Sequence, residues 1–194
     1  MLFVPSVQPR YDKERIFERL HVEPGSAAWE YNDEIFPEIV AEVTGRLKMH
    51  GCFLLGEDRI VSGVEEIDRS EGRAVCMIAI EQNVMDRMDE YLADYDFPEA
   101  YLLDGLVNEI LFNAGDDVCD AAAAAARERG WGLTRRYIPG DEPLDLSVQE
   151  KLLACLDGAA EAAVLSMDAR GVLRPEKAAL YLFGADPSYL TDLP

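Results

Sequence analysis

Between Pro98 and Gly130 apolar residues recur at helical spacing without a gap long enough to end a helix. Leu103, Leu106, Val107, Ile110, Val118, Ala122 and Ala125 fall on one face, Pro98 suits a first turn, and Gly130 is placed as a stop. Uninterrupted, roughly 31 residues would span about 45 Å at 1.5 Å per residue, with "NAGDD" at 113–117 as the expected site of a bend or break. The alanine run 121–126 reads as a close-packing helix face. A one-sided helix this long needs an apolar layer to lie on. On either side of it the period changes from helical to alternating. "AVCMIAI" at 74–80 is a compact run of β-type residues, and a strand is expected over 133–138. The pattern predicts an α+β fold, with the 98–129 helix packed on an antiparallel sheet.

The remaining segments fit that frame. Short charged helices are predicted over 11–21 and 84–95, and a longer one over 27–48, where Pro37 marks a kink or a new start. "EPGS" at 23–26 is a turn, and "CFLLGEDRIVSGV" reads as two short strands around "GEDR". Ser147 and Glu150 have the spacing of a capping box for a helix that Gly158 would end. "AAVLSMDARGVLRP" reads as strand, turn, strand, and "EKAALYLFG" as a closing helix. No linker or repeat divides the chain. One domain over 1–194 is expected, with helices and first strands in 1–97 and the long helix and later motifs in 98–194.

Charge and cysteine usage narrow the function. With 38 acids against 18 bases the net charge is −20, which disfavours nucleic acid and anionic membrane surfaces as partners. No apolar run approaches the length of a membrane span, and "MLFVPSVQPR" lacks a signal peptide's basic region, so a soluble cytoplasmic protein is expected. Cys52, Cys76, Cys119 and Cys155 form no C-x-x-C pair and have only His21 and His50 as company. They are expected to be buried thiols, with neither metal nor disulfide.

The densest cationic dipeptide, Arg135-Arg136, runs into a Pro-Gly turn in "GLTRRYIPGDEPLDL". A guanidinium holds a carboxylate in bidentate fashion and turns present backbone N–H groups, so the stretch suits an anion seat. Pairing of Arg136 with Asp141, Glu142 or Asp145 accounts for it equally well. On a strand the two arginines point to opposite faces, so only one would serve a given ligand. Asp104 is explained by its place near a helix start, and Tyr181 by core packing among Leu180, Leu182 and Phe183. Nothing positions His21 or His50. No Ser–His–Asp set, phosphate loop or carboxylate dyad stands out, and no catalytic residue is assigned.

These residues also carry a resemblance. "YLLDG", "RERGWGLTRRYIPG", "LSVQEKLLACLDG" and "VLRPEKAALYLFG", in that order over about 98–184, resemble the activation domain of cobalamin-dependent methionine synthase, and more closely the small stand-alone proteins built like it. "YDKERIFERLHVEPG" and "AVCMIAIEQNVMDRMDEYL" extend the resemblance over most of the chain. It implies a single α+β domain, a twisted antiparallel sheet flanked by helices, that binds S-adenosylmethionine and supports methyl transfer to cobalamin held by a separate methionine synthase or corrinoid protein. Such a chain would be a methyltransferase component in methionine biosynthesis, with no cobalamin of its own, since the D-x-H-x-x-G signature is absent. By motif alignment the cofactor's carboxylate would meet Arg136, with the backbone of Ile138, Pro139 and Gly140 around it and Tyr181 covering an adenine or corrin edge.

Four positions depart from the family pattern. Asp141 stands where an aromatic follows Pro-Gly, Ala178 and Leu180 where serines are common, Ala79-Ile80-Glu81 where a Thr-x-Gly turn is common, and Val107-Asn108 where a Gly-Ser pair is common. Each removes a close-approach glycine, a hydroxyl or a stacking ring. The alternative reading is therefore a non-catalytic docking partner of a corrinoid protein that has lost S-adenosylmethionine binding. A sensor for a different carboxylate ligand is a third reading.

Overall fold

The computed structural model describes residues 2–3, 7–57, 60–162 and 165–190. A five-stranded antiparallel sheet has the order β1-β2-β3-β7-β4, built from β1 (Leu2–Phe3), β2 (Met49–Gly56), β3 (Gly72–Ile80), β7 (Ala178–Asp186) and β4 (Gly132–Leu133). β2 pairs with β3 from Met49↔Ile80 to Gly56↔Arg73, and β3 pairs with β7 from Gly72↔Ala185 to Ala79↔Ala178. β5 (Ser166–Met167) and β6 (Leu173–Arg174) form a separate small hairpin, as "AAVLSMDARGVLRP" predicts.

Both faces of the sheet are covered, and the residues alternate between them. Phe53, Leu55, Cys76, Ile78, Tyr181 and Phe183 point to one side. Cys52, Val75, Met77, Leu180 and Leu182 point to the other. The first side carries α5 (Phe97–Glu128), one continuous 32-residue helix whose Leu103, Leu106, Val107, Ile110 and Val118 are fully buried. α1 (Lys13–Arg19), α2 (Ala27–Arg46) and α4 (Asn83–Asp94) pack around it. The second side is closed by α3 (Glu65–Arg69), α6 (Val148–Ala162) and the chain from Tyr137 to Leu144.

Local chemistry sets the element ends. Asp12 and Ser26 cap α1 and α2 by accepting the N–H groups of Arg15 and Trp29, each at 3.1 Å. α5 ends where Gly130 takes φ +75° and the Trp131 N–H returns to the Ala126 carbonyl at 3.0 Å. Glu109, fully buried on α5, ties α1 to it by accepting from Arg19 Nη1 at 2.6 Å, with Arg15 Nη1 at 3.4 Å.

Several expectations change. "NAGDD" does not break α5, because Gly115 faces inward over β7: a Cβ there would sit 2.6 Å from the Tyr181 hydroxyl. α2 passes through Pro37 without a new start. The predicted closing helix "EKAALYLFG" is β7, buried on both faces from Leu180 to Ala185. Residues 60–64 form no strand, and α3 follows. α6 runs past Gly158 to Ala162, and its start is organised by Asp145, which accepts the Ser147 N–H at 2.8 Å. The 133–138 strand is reduced to β4 and one bridge, Tyr137↔Leu182. Between them the Thr134 hydroxyl accepts the Gly184 N–H at 3.0 Å, so a side chain takes over one rung of the ladder.

Candidate functional site

The stretch after α5 places its two arginines on opposite faces of the sheet, as the alternation predicts. The Arg135 guanidinium lies 4.7 Å from the centre of the Tyr137 ring, on the α3–α6 side. There the Tyr137 hydroxyl donates to Glu66 Oε2 at 2.5 Å. Arg136 turns to the α5 side, with its guanidinium 4.9 Å from the centre of the Tyr181 ring. Its ion-pair partner is Asp116 on α5, whose Oδ1 accepts from Nη1 at 2.6 Å, rather than Asp141, Glu142 or Asp145. Both partners are substantially exposed, 41% for the arginine side chain and 57% for the aspartate.

The Pro-Gly turn is closed on itself. The Asp141 N–H donates to the Ile138 carbonyl at 3.0 Å, the Gly140 N–H to the Leu144 carbonyl at 2.9 Å, and the Leu144 N–H to the Asp141 carbonyl at 2.8 Å. Gly140 has φ +95°, a conformation that side chains disfavour, which explains the glycine. Ile138 is exposed and Pro139 buried. The turn therefore offers the Gly140 and Asp141 N–H groups to its own carbonyls, unlike an open anion nest.

Beneath Arg136 the site is buried. Tyr181 is 2% exposed and pairs across the sheet with Cys76. Burial pushes its phenol up to about 12. One helical turn beyond Gly115, Cys119 packs against the core cluster that contains Cys76. The Cys76 S–H holds the Cys119 thiol below its ordinary value and Arg136 adds to this, while burial opposes. Cys76 is pushed well above its ordinary value, first by Cys119 and then by its own burial. Cys119 also lines a cleft of about 260 Å³ between α5 and β4, with Asp120, Arg127, Thr134 and Phe183. The sequence reading assigns neither Asp116 nor Cys119 to the site: Asp116 falls in the expected bend "NAGDD", and Cys119 among the four buried thiols. Their spacing of three on α5, beside an inward-facing glycine, was the available signal.

The other candidates lie apart. Asp104 accepts from Lys177 Nζ at 2.5 Å, and Asn108 Oδ1 accepts from the same ammonium at 2.8 Å, which joins α5 to the edge of β7. His50 pairs with Glu81 at 3.0 Å, and His21 sits at a cleft with Glu14, Glu18 and Trp29. Among the described residues no group of three or more His, Cys, Asp or Glu is placed to hold a metal ion, and no helix is long and apolar enough to cross a membrane.

No protein-family model matches the sequence, and no curated protein matches it. Among solved structures, the crystal structure of the MetH reactivation domain bound to AdoHcy matches over 100% of this chain and 80% of that one, with a TM-score of 0.64 and 8% sequence identity. At that identity the likeness is one of fold: the antiparallel sheet and its flanking helices resemble those of the MetH reactivation domain.

Proposed function

We propose that this chain, as one unit over residues 1–194, binds S-adenosylmethionine and supports reductive methylation of cobalamin carried by a separate methionine synthase or corrinoid methyltransferase protein in the cytoplasm. The observation that supports this best is the placement of Arg136. Its guanidinium stands at the edge of the sheet, stacked on a ring and paired with a single surface carboxylate. An exposed pair of this kind is worth about 0.2–1 kcal/mol, so a ligand carboxylate can take the place of Asp116 at little cost. In this reading Arg136 anchors the carboxylate, Ile138, Pro139 and Gly140 border the ligand, and the Tyr181 ring fixes the guanidinium from below. The sulfonium brings the methyl group. The chain's part is to hold and orient it, which is why no general acid or base is required. The net charge of −20 favours a ligand with a cationic centre.

A second reading is a docking partner that no longer binds the cofactor. It is favoured by the closed hydrogen bonding of the 138–144 turn and by the carboxylate already seated on Arg136. Calorimetric titration with S-adenosylmethionine separates the two. Under the first reading the wild type binds, and Arg136→Ala weakens binding by about 1.5–3 kcal/mol, roughly ten- to a hundred-fold. Absence of binding by the wild type at millimolar ligand decides for docking alone.

A further inference from the structure

We propose that the corner where α4 meets α5 docks a basic segment of a partner protein, whose arginines stack on Tyr95, Phe97 and Tyr101 and pair with Asp94 and Asp96. This is independent of S-adenosylmethionine binding. Phe97 precedes Asp116 by nineteen residues on α5, about 28 Å at 1.5 Å per residue. Three observations carry it. First, the corner exposes aromatic surface that the core does not use. Within "DYDFPEAY" at 94–101, Tyr95 is 78% exposed, Tyr101 61% and Phe97 46%. Tyr95 and Phe97 meet edge to face with ring centres 6.1 Å apart. Tyr101 follows Phe97 by one helical turn, on the same outer face. Apolar rings gathered in this way mark an interaction site, whereas single exposed residues do not.

Second, Tyr95 holds a conformation that favours glycine. It closes α4 at φ +66°, with the Asp96 N–H returning to the Tyr91 carbonyl at 2.9 Å. Helices commonly carry glycine at this left-handed position, and a bulky residue there is strained. Its ring gains no burial in return. Third, the charge around the corner is of one sign. From Met88 to Ala126 the chain has no lysine or arginine. Asp96 stands at the N-cap of α5, yet its side chain does not cap the helix. Among the described residues neither Asp94 nor Asp96 forms an ion pair, whereas Glu99 is held by the Tyr31 hydroxyl. Open carboxylates beside exposed rings match a guanidinium, which pairs with the first and stacks on the second. A second copy of this chain in a two-fold contact would bring the same acids face to face.

The test titrates the full chain into a fluorescently labelled peptide of arginines spaced by glycine and serine, and reads anisotropy at about 0.15 M salt, where long-range attraction is screened. The expected result is saturable binding, weakened about five- to thirty-fold by Tyr95→Gly combined with Tyr101→Ser. These substitutions leave the net charge at −20, so general attraction of a basic peptide to an acidic protein does not account for the loss. Tyr95→Gly alone should melt at or above the wild-type temperature, which separates lost binding from lost folding. Asp94→Asn with Asp96→Asn should weaken binding more than Glu128→Gln with Glu150→Gln, which removes the same charge elsewhere. The proposal is overturned if the wild type does not bind the peptide, if the tyrosine variant binds as tightly as the wild type, or if the two pairs of acid substitutions cost equal affinity. It is also overturned if sedimentation shows a dimer that Tyr101→Ser converts to monomers, because a second copy then covers the corner.

Discussion

The two faces of the sheet are built on different principles. The α5 face is closed by one helix that crosses β2, β3 and β7, and its core is continuous with α1, α2 and α4. The opposite face is closed by a five-residue helix, by α6 and by non-repetitive chain at Tyr137 and Leu144. A single long element has few ways to yield when a side chain is removed beneath it, whereas short elements joined by coil can settle into the space. Stability should therefore be concentrated on the α5 face. Leu106→Ala is expected to cost about 4 kcal/mol, and Leu152→Ala on α6 about 2.5 kcal/mol, within the span seen for buried leucines. Urea unfolding of the two variants measures this directly. Equal losses would mean that the opposite face is as rigid as the helical one.

One group on each face should act at opposite ends of the pH scale. On the α5 face, burial raises the Tyr181 phenol in the folded protein to about 12, against an ordinary value of 10.0. The unfolded chain ionises first, so stability falls as pH rises from about 10 and has lost about 2–3 kcal/mol by pH 12. Tyr181→Phe should remove that part of the alkaline slope. On the other face Asp68 behaves in the reverse sense. Burial pushes its carboxyl up, but the N–H groups of Ser62 and Gly63 and the Ser62 hydroxyl, at 2.8–3.0 Å, outweigh this and hold it below the ordinary value. Its contribution is complete above the unfolded value and is lost as pH falls through the depressed folded one. Asp68→Asn should flatten the acid limb alone. Stability curves in which either variant moves the other limb would refute the assignment.

Glycines sharpen the contrast at a smaller scale. Gly115→Ala drives a methyl into the ring of Tyr181, which is held by the sheet, and should cost about 1–3 kcal/mol. Gly158 is helical with open space where a Cβ would go, so Gly158→Ala should stabilise by about 0.5–1 kcal/mol. Thermal melts of the pair should move in opposite directions.

What was legible in the sequence follows the same division. α5 could be read because a one-sided helix writes its period over many turns, and β3 because branched and sulfur-bearing residues crowd a short run. β7 was misread as a helix. Its "AALYL" residues are good helix formers, and a central strand buried on both faces shows no alternation to betray it. The second face lacked any long period. α3 is too short to have one, and the strand expected over 133–138 is interrupted where the Thr134 hydroxyl substitutes for backbone. At the candidate site the opposed directions of Arg135 and Arg136 were legible from the strand period. The partner of Arg136 was not, because Asp116 lies twenty residues upstream on α5, whose docking depends on the whole sheet.

The smallest expected stability effects belong to that arginine pair, which divides the two faces most sharply. Arg136 loses an exposed ion pair and a ring contact on truncation, and Arg135 loses a ring contact near Glu66. Exposed interactions of both kinds are worth about 1 kcal/mol or less, so Arg135→Ala and Arg136→Ala should unfold at nearly the same denaturant concentration. Their difference should appear only with ligand. If Arg136 anchors a carboxylate, S-adenosylmethionine should raise the melting temperature of the wild type and of Arg135→Ala, and leave that of Arg136→Ala almost unmoved. Asp116→Asn adds a second constraint. It frees the guanidinium from its internal competitor without removing it, so ligand affinity should rise by a few-fold. A fall in affinity on Asp116→Asn would instead mean that the aspartate orients Arg136 for the ligand, and would reverse the competition between Asp116 and a ligand carboxylate on which the anchor assignment is built.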